Sequence, residues 1–541
     1  MKRLVSKSCE ESRLLWHLAF PAILTEVFQF SIGFVTTGFI GHIGEVELAA
    51  VTVVENIMEG FAFGVLVRTI QLPIFFKSST FFLRPHLQTH CFAHTQPTQF
   101  GMGSALDTLC GQAVGARQLD MLGIYTQQSW IVCGATALAL TPAYVFTTPI
   151  LRSLLRQPAD VAVAAGPYAR WAIPRLFAHA MNYPLLKFFQ TQSRVWAVTA
   201  ISGVSLAVHV VLTYVAVRRL RCGLRGAAVA GNISHWLIVL AQFLYMVRGR
   251  FPDAWKGFSF QAFKNIGAFV KLSLVSAVMI CLEVWYYTVL LILVGLLKNA
   301  KLQLDIMSVC INYEFWTMMV ALGFSTAISV RVSNELGANR PKEAQFSVLV
   351  AVSTSAFIGA FFMAIFFIWR TSLPKFFSGS EEVIHGASRL GYLLAVTVFL
   401  SSIWPLLSGV AVGSGLQVLV AFVNVGCNYL VGIPLGILFG FRLKFGTLGI
   451  WMGMLTATLS PLHAHPPPCL SFQAPVFFFA LTPSAMHSAT SELEVEAPSP
   501  GPRQRSGRAQ ASTSSGSDMG LASATSAASL STAAMAKLET R

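Results

Sequence analysis

Glutamates stand inside apolar blocks of this chain, where an ionised carboxylate is costly: Glu26, Glu55, Glu59 and Glu283. A charge at the centre of a membrane-spanning helix costs about 2.5–3.5 kcal/mol on insertion scales, so each is a functional candidate by default. A low dielectric favours the neutral carboxyl, which lets such a group alternate between holding a proton and holding a cationic ligand. Glu283 lies near the middle of its block, in Met279-Ile-Cys-Leu-Glu-Val-Trp-Tyr-Tyr287. It is the candidate proton-coupling group; a glutamate bonded to a neighbouring helix for packing alone is the alternative. Trp285 and Tyr286 beside it offer ring faces to a cationic or planar molecule. Asn312, Gln417, Asn424, Asn428 and Tyr429 also sit in apolar blocks and can hydrogen-bond a ligand, although such residues more often join helix to helix. With Glu26, Glu55, Glu59, Trp285 and Tyr286 they make up the candidate substrate-binding set. The sequence has no HExxH, GxSxG, P-loop or dinucleotide fingerprint, the patterns that would signal other chemistry. His86, His90 and His94 recur at helical spacing, but in a polar stretch foreign to its surroundings, so no metal, cofactor or catalytic residue is expected.

The elements that must position these residues follow from composition. Of 541 residues, 54% are apolar and 11% charged, against about 25% charged in soluble proteins. A chain this long and this poor in charge cannot cover itself with a water-facing surface. That excludes a soluble enzyme, a disordered scaffold and a secreted disulfide framework. Apolar blocks lie near 14–40, 48–67, 121–148, 161–183, 196–217 and 226–247, then near 266–296, 306–330, 346–370, 389–412, 416–441 and 448–459. Most approach or exceed the roughly 20 residues that a spanning helix needs. The fold class is an all-α polytopic membrane protein of about twelve transmembrane helices in two six-helix lobes, the twelfth incomplete. The net charge of +15 is scattered through the loops, the habit of membrane proteins and not of a nucleic-acid face. Arg218, Arg219, Arg221 and Arg225 offset the usual loop asymmetry, so charge does not decide orientation. The nine cysteines lack a CxxC pair and read as small buried hydrophobes. No cleavable signal peptide is expected before the first block. Pro21, Pro184, Pro405 and Pro434 lie in or beside spans and can bend them.

The halves repeat. Gly101–Ala116 aligns with Gly323–Ala338 at an offset of 222, with identities at Gly101/Gly323, Ala105/Ala327, Gly115/Gly337 and Ala116/Ala338. Upstream, Leu48–Asn56 aligns with Leu304–Asn312 at an offset of 256. The two offsets agree only if the first half carries about 34 extra residues, and Arg68–Phe100, rich in His, Gln, Thr and Pro, is the piece that fits. Repeats with an even number of spans run parallel, about an axis along the membrane normal, and transporters place the substrate path between such lobes. The chain divides into a cytoplasmic N-terminus (1–13), an N-lobe (14–247) holding the insertion at 68–100, a linker (248–265), a C-lobe (266–459) and a low-complexity tail (460–541). From His463 onward that tail has five basic and five acidic residues, a composition that favours disorder.

Phe39-Ile-Gly-His-Ile-Gly-Glu-Val-Glu-Leu-Ala-Ala50, Gly101-Met-Gly-Ser-Ala-Leu-Asp-Thr-Leu-Cys-Gly-Gln112, Arg331-Val-Ser-Asn-Glu-Leu-Gly-Ala338 and Leu407-Ser-Gly-Val-Ala-Val-Gly413 resemble the plant form of the multidrug and toxic compound extrusion (MATE) family. The resemblance covers about residues 12–67 and 101–455. It implies two six-helix lobes around a cleft that opens alternately to either side, and export of amphipathic organic compounds in exchange for protons. It also implies a coupling acid at Glu283, and it makes Ser401 the place where many relatives carry a second acid. The implied setting is a monomer in the vacuolar or plasma membrane, with an organic small molecule, protons and the bilayer as its partners. Arg68–Phe100 has no counterpart in the family, and a full twelfth span should follow Met454. Both departures read as unspliced or misjoined coding sequence, so a product without function on the same scaffold is one alternative. A lipid-linked precursor flippase, which needs a strongly cationic cleft, is another. An intramembrane enzyme would need paired catalytic groups in the spans, and none are found.

Overall fold

A computed structural model describes residues 2–55, 97–154, 158–264, 266–376, 380–416 and 424–463. The first half of the chain supplies α1 (Lys2–Ile40), α2 (Glu45–Val53), α3 (Pro97–Gly115), α4 (Leu119–Val145), α5 (Ala159–Thr191), α6 (Val195–Thr213) and α7 (Gly223–Tyr245). The second half supplies α8 (Ile266–Gly295), α9 (Ala300–Gly337), α10 (Pro341–Ile368), α11 (Glu381–Ser414), a composite helix over 424–442 and α12 (Thr447–His463). No strand occurs among the described residues. In hydrocarbon every backbone N–H and C=O must be satisfied within its own segment or a closed barrel, and these apolar runs take the helical solution. Among the described residues, six helices are long and apolar enough to cross a membrane by length and composition, and a seventh if Leu119–Val145 and Thr147–Ser153, which meet at 64°, form one broken span. Large apolar side chains such as Phe34, Leu138, Val204, Phe357 and Leu430 are exposed, as lipid-facing surfaces require and water-facing ones do not tolerate in such number.

Prolines sit inside the helices, at Pro21 in α1, Pro142 in α4, Pro167, Pro174 and Pro184 in α5, and Pro405 in α11. Each removes a backbone donor, and side chains bond carbonyls at or beside two of them. The Pro21 carbonyl accepts hydrogen bonds from Thr25 and Thr199 Oγ1, both at 2.8 Å. Asn232 Nδ2 donates to the Trp171 carbonyl at 2.7 Å, and Trp236 Nε1 donates to Pro174 at 3.0 Å. Helix α12 runs to His463, one turn past the apolar block that ends near 459. It is anchored by the buried Trp451, whose Nε1 donates to Thr397 Oγ1 on α11 at 2.9 Å.

The aligned repeat segments meet each other in space. Near the end of α3, a Cβ on Gly115 would fall 2.0 Å from the Asn334 carbonyl of α9, and one on Gly337 would fall 2.2 Å from the Gln112 carbonyl. Only glycine lets two helix backbones approach this closely. Asn334 Nδ2 also donates to the Thr191 carbonyl at the end of α5, and Thr108 Oγ1 of α3 donates to the Val412 carbonyl of α11. Trp16 of α1 sits edge-on to Phe324 of α9 at 4.9 Å. These contacts join the two halves around the end of the molecule where α1 begins and α3, α5 and α9 finish.

Candidate functional site

The second half encloses a carboxylate in an aromatic setting. Glu314, on α9, is only 2% exposed, and its Oε1 accepts a hydrogen bond from Ser401 Oγ of α11 at 3.2 Å. Tyr287 of α8 also acts on it. Its Oε2 has no hydrogen-bond partner among the described residues, and the buried Tyr286 hydroxyl has none either. The Tyr286 ring lies 5.9 Å from Tyr287 and 6.1 Å from Tyr429, and Tyr287 lies 5.9 Å from Phe315. Tyr429 is fixed by donating to the Leu282 carbonyl at 2.8 Å. It stands in a π-helical stretch, Gly426–Gly432, the kind of local widening that recurs at functional sites. At the end of that stretch a Cβ on Gly432 would fall 2.6 Å from the Tyr286 hydroxyl, so glycine makes the room that the ring occupies.

The residues singled out from sequence distribute unevenly around this carboxylate. Glu283 and Trp285 lie on α8, but their side chains are outside the described residues, as are Glu59, Gln417 and the three histidines of 86–94. Position 283 lies one turn before Tyr286 and Tyr287 on α8. Asn312 lies two residues before Glu314 and donates Nδ2 to the Ser308 carbonyl at 2.8 Å. Asn424 is buried and Asn428 half-buried on the composite helix. Glu314 itself was not among the sequence candidates. The rule that selects Glu283 applies equally to it, an acid within the block 306–330.

The first half spends its acids differently. Glu55 Oε1 accepts from Tyr168 at 2.8 Å and from Arg175 at 3.0 Å, both on α5, so the structure gives this carboxylate to a buried ion pair. Lys187 pairs with Asp107 at 2.9 Å, both nearly inaccessible, with the ammonium 5.2 Å from the Tyr183 ring. Glu26, half-buried on α1, interacts with the same Lys187. Lys187 is therefore not a cation at the edge of its span, as its place in the sequence suggests, but a buried counter-ion. Arg175 is a second one, inside the apolar block 161–183. Between them His179 stacks edge-on to His235 at 4.5 Å, and Gln242, Asn182 and Gln29 form a hydrogen-bonded chain with links of 3.0 and 3.2 Å. Tyr168, Arg175, His179 and Asn182 recur at helical spacing down one face of α5, a polar stripe turned to the interior. No group of His, Cys, Asp and Glu among the described residues has a metal-binding arrangement.

An all-helical chain with an apolar outer surface, paired halves and carboxylates set in its interior is a polytopic membrane transporter. Residues 95–215 and 276–438 match the MatE family. Protein DETOXIFICATION 29 of Arabidopsis thaliana is 44% identical over 449 residues, 83% of either chain. Protein DETOXIFICATION 33 of the same plant is 45% identical over 446 residues, 82% of this chain and 85% of its own. The crystal structure of AtDTX14, a eukaryotic MATE transporter, is similar with a TM-score of 0.74 at 30% identity, covering 90% of this chain and 99% of that one. The chain belongs to the MATE family. The all-α, multi-pass membrane fold in two six-helix lobes stands, and the protein is a transporter of the multidrug and toxic compound family, not an enzyme.

Proposed function

We propose that this protein exports amphipathic organic compounds in exchange for protons, by alternating access, at the vacuolar or plasma membrane, and works as a monomer. The observation that carries the reading is Glu314. It is a buried carboxylate held by the Ser401 hydroxyl and by Tyr287, with no ion pair to it among the described residues and tyrosine rings around it. An ionised carboxylate left in such a place is strongly unfavourable. The group is stable when it holds a proton or when an organic cation stands beside it, and not in between. That exclusion is what antiport requires. Glu283, one turn from the same tyrosines, is the coupling acid, and Glu314 occupies the position next to Ser401 where a second acid serves. Tyr286, Tyr429, Asn312, Asn424 and Asn428 supply ring faces and hydrogen bonds to the substrate, and Glu26, with Trp285, Glu59 and Gln417, completes the candidate lining. The names of the Arabidopsis relatives, which say detoxification, support organic compounds as the substrate class.

The test is uptake of a fluorescent organic cation into liposomes carrying the protein under an imposed pH gradient. Glu283→Gln and Glu314→Gln each reduce gradient-driven uptake to background, while exchange of labelled for unlabelled substrate at equal pH persists. Full gradient-driven uptake by both variants would sink the assignment.

A further inference from the structure

The end of the molecule where α1 begins and α9 finishes carries a charge cluster that ties the two halves together. Glu11 of α1 receives the Arg331 guanidinium of α9 in a two-pronged contact, Nε to Oε1 at 2.9 Å and Nη2 to Oε2 at 3.0 Å. Its Oε1 also accepts from Ser347 Oγ of α10 at 2.6 Å. The third guanidinium nitrogen donates to Glu335 Oε1 at 2.7 Å, and Arg340 Nε lies 3.0 Å from the other oxygen of Glu335. Glu11 is 8% exposed and Glu335 5%. Beside this core an exposed pair, Lys7 and Glu343, closes at 2.9 Å. The glycine contact of α3 with α9 lies at the same end, where Gly337 is two residues beyond Glu335.

Charged groups in this geometry are not packing filler. A fork-to-fork Arg–carboxylate contact is among the strongest and most directional of hydrogen-bonded pairs. Once shielded, separating it is costly until water enters to hydrate both partners. The cluster is also one-sided. At the repeat offset of 222, Arg331 corresponds to Leu109 and Glu335 to Ala113, so the first half has no equivalent. Packing common to both halves is satisfied without these charges, and Arg331 reaches across to an acid on the other half.

We propose that Glu11 and Arg331 form the latch that holds this end of the cleft shut, and so set the balance between its two openings. They are positioning residues and touch no substrate. The proposal rests on alternating access. When the N-terminal end opens, α1 separates from α9 and α10, and the fork on Glu11 opens into water. When the end closes, Ser347 and Glu335 hold both partners in the one arrangement that re-forms the contact.

The test uses the full chain, reconstituted with one orientation, with exchange of a labelled organic cation at equal pH as the readout. Exchange requires alternating access but no proton gradient, so it separates this proposal from the coupling role of Glu283 and Glu314. In Glu11→Gln the KM falls by about fivefold or more for substrate offered on the N-terminal side and rises on the opposite side, a population shift of the size usual for coupled sites. Arg331→Lys, which keeps the charge but not the fork, lies between Glu11→Gln and the unchanged protein. A defect of folding would lower the maximal rate on both sides and leave the two KM values unsplit; that result, or unchanged KM values, overturns the proposal. Lys7→Cys combined with Glu343→Cys supplies a second measurement at exposed positions where folding is not at risk. A short bifunctional thiol reagent across this pair abolishes exchange, and releasing the link by reduction restores it. Exchange that continues with the link in place would show that this end does not open, and would overturn both the latch and alternating access at this end.

Discussion

A hydroxyl that is buried without a partner is normally a cost, and the Tyr286 hydroxyl is one. Such groups cost about 1–3 kcal/mol when left unsatisfied, so their persistence calls for a reason outside the resting fold. A ligand in the aromatic site supplies one, because the hydroxyl then has a partner. Tyr286→Phe is therefore expected to raise stability by about 1–3 kcal/mol, while raising the KM for an organic cation with hydrogen-bonding groups. Thermal unfolding in detergent and uptake kinetics on the same preparation check the two halves of the statement. A fall in stability with unchanged KM would place the hydroxyl in the fold and not in the site. At this scale the sequence shows which residues are out of place in hydrocarbon, but not what they face. Glu55 and Glu283 are equivalent by that measure, and only the structure shows that Glu55 is held by Arg175 and Tyr168. Glu314 is equally visible, as an acid well inside the block 306–330.

Helices make the difference between the two halves of the molecule. Apolar periodicity places each span and the repeat places the halves, because both depend on runs of residues whose transfer energies add. Pairing between helices depends on single side chains meeting across long sequence separations, which no run reveals. Asp107 and Lys187 are 80 positions apart yet within 2.9 Å, and together they fix α3 to α5. Lys187→Met leaves Asp107 buried without its counter-ion and is expected to cost about 3–5 kcal/mol, whereas replacing both partners with apolar residues of similar size is near neutral. The check is a comparison of unfolding temperatures for Lys187→Met and for the double variant Asp107→Leu with Lys187→Met. Recovery of most of the loss in the double variant marks the pair as a fastening between helices. No recovery would mean that Lys187 has a further partner essential to the first half, and Glu26, which interacts with it, is the next to substitute.

For the molecule as a whole the open question is the stretch that separates α2 from α3. The offset arithmetic treats Arg68–Phe100 as added to a continuous second span, and the described residues on either side of it pack into one core. Val51, Val53 and Val54 before it and Leu106, Cys110 and Ala113 after it belong to one apolar core, shared with Tyr144, Phe188 and Phe189. Closing a long loop costs free energy that grows only slowly with length, by about 0.6 kcal/mol for each doubling, so an insertion can be carried without displacing its flanks. Deletion of residues 68–100 is thus expected to raise or preserve the unfolding temperature, because it removes the residues that the repeat offset marks as added. Transport follows from the same geometry. The Glu314 site and the Glu11–Arg331 latch are built from α1, α8, α9, α10, α11 and the composite helix, none of which adjoins the deleted stretch in sequence, although α8 and α9 pack against α3. The deleted form is therefore expected to exchange an organic cation at least as fast as the full chain. Exchange by the shortened chain alone would locate the obstruction in the insertion. A shortened chain that unfolds at lower temperature would show that residues 68–100 contribute packing of their own, and that the second span is not continuous.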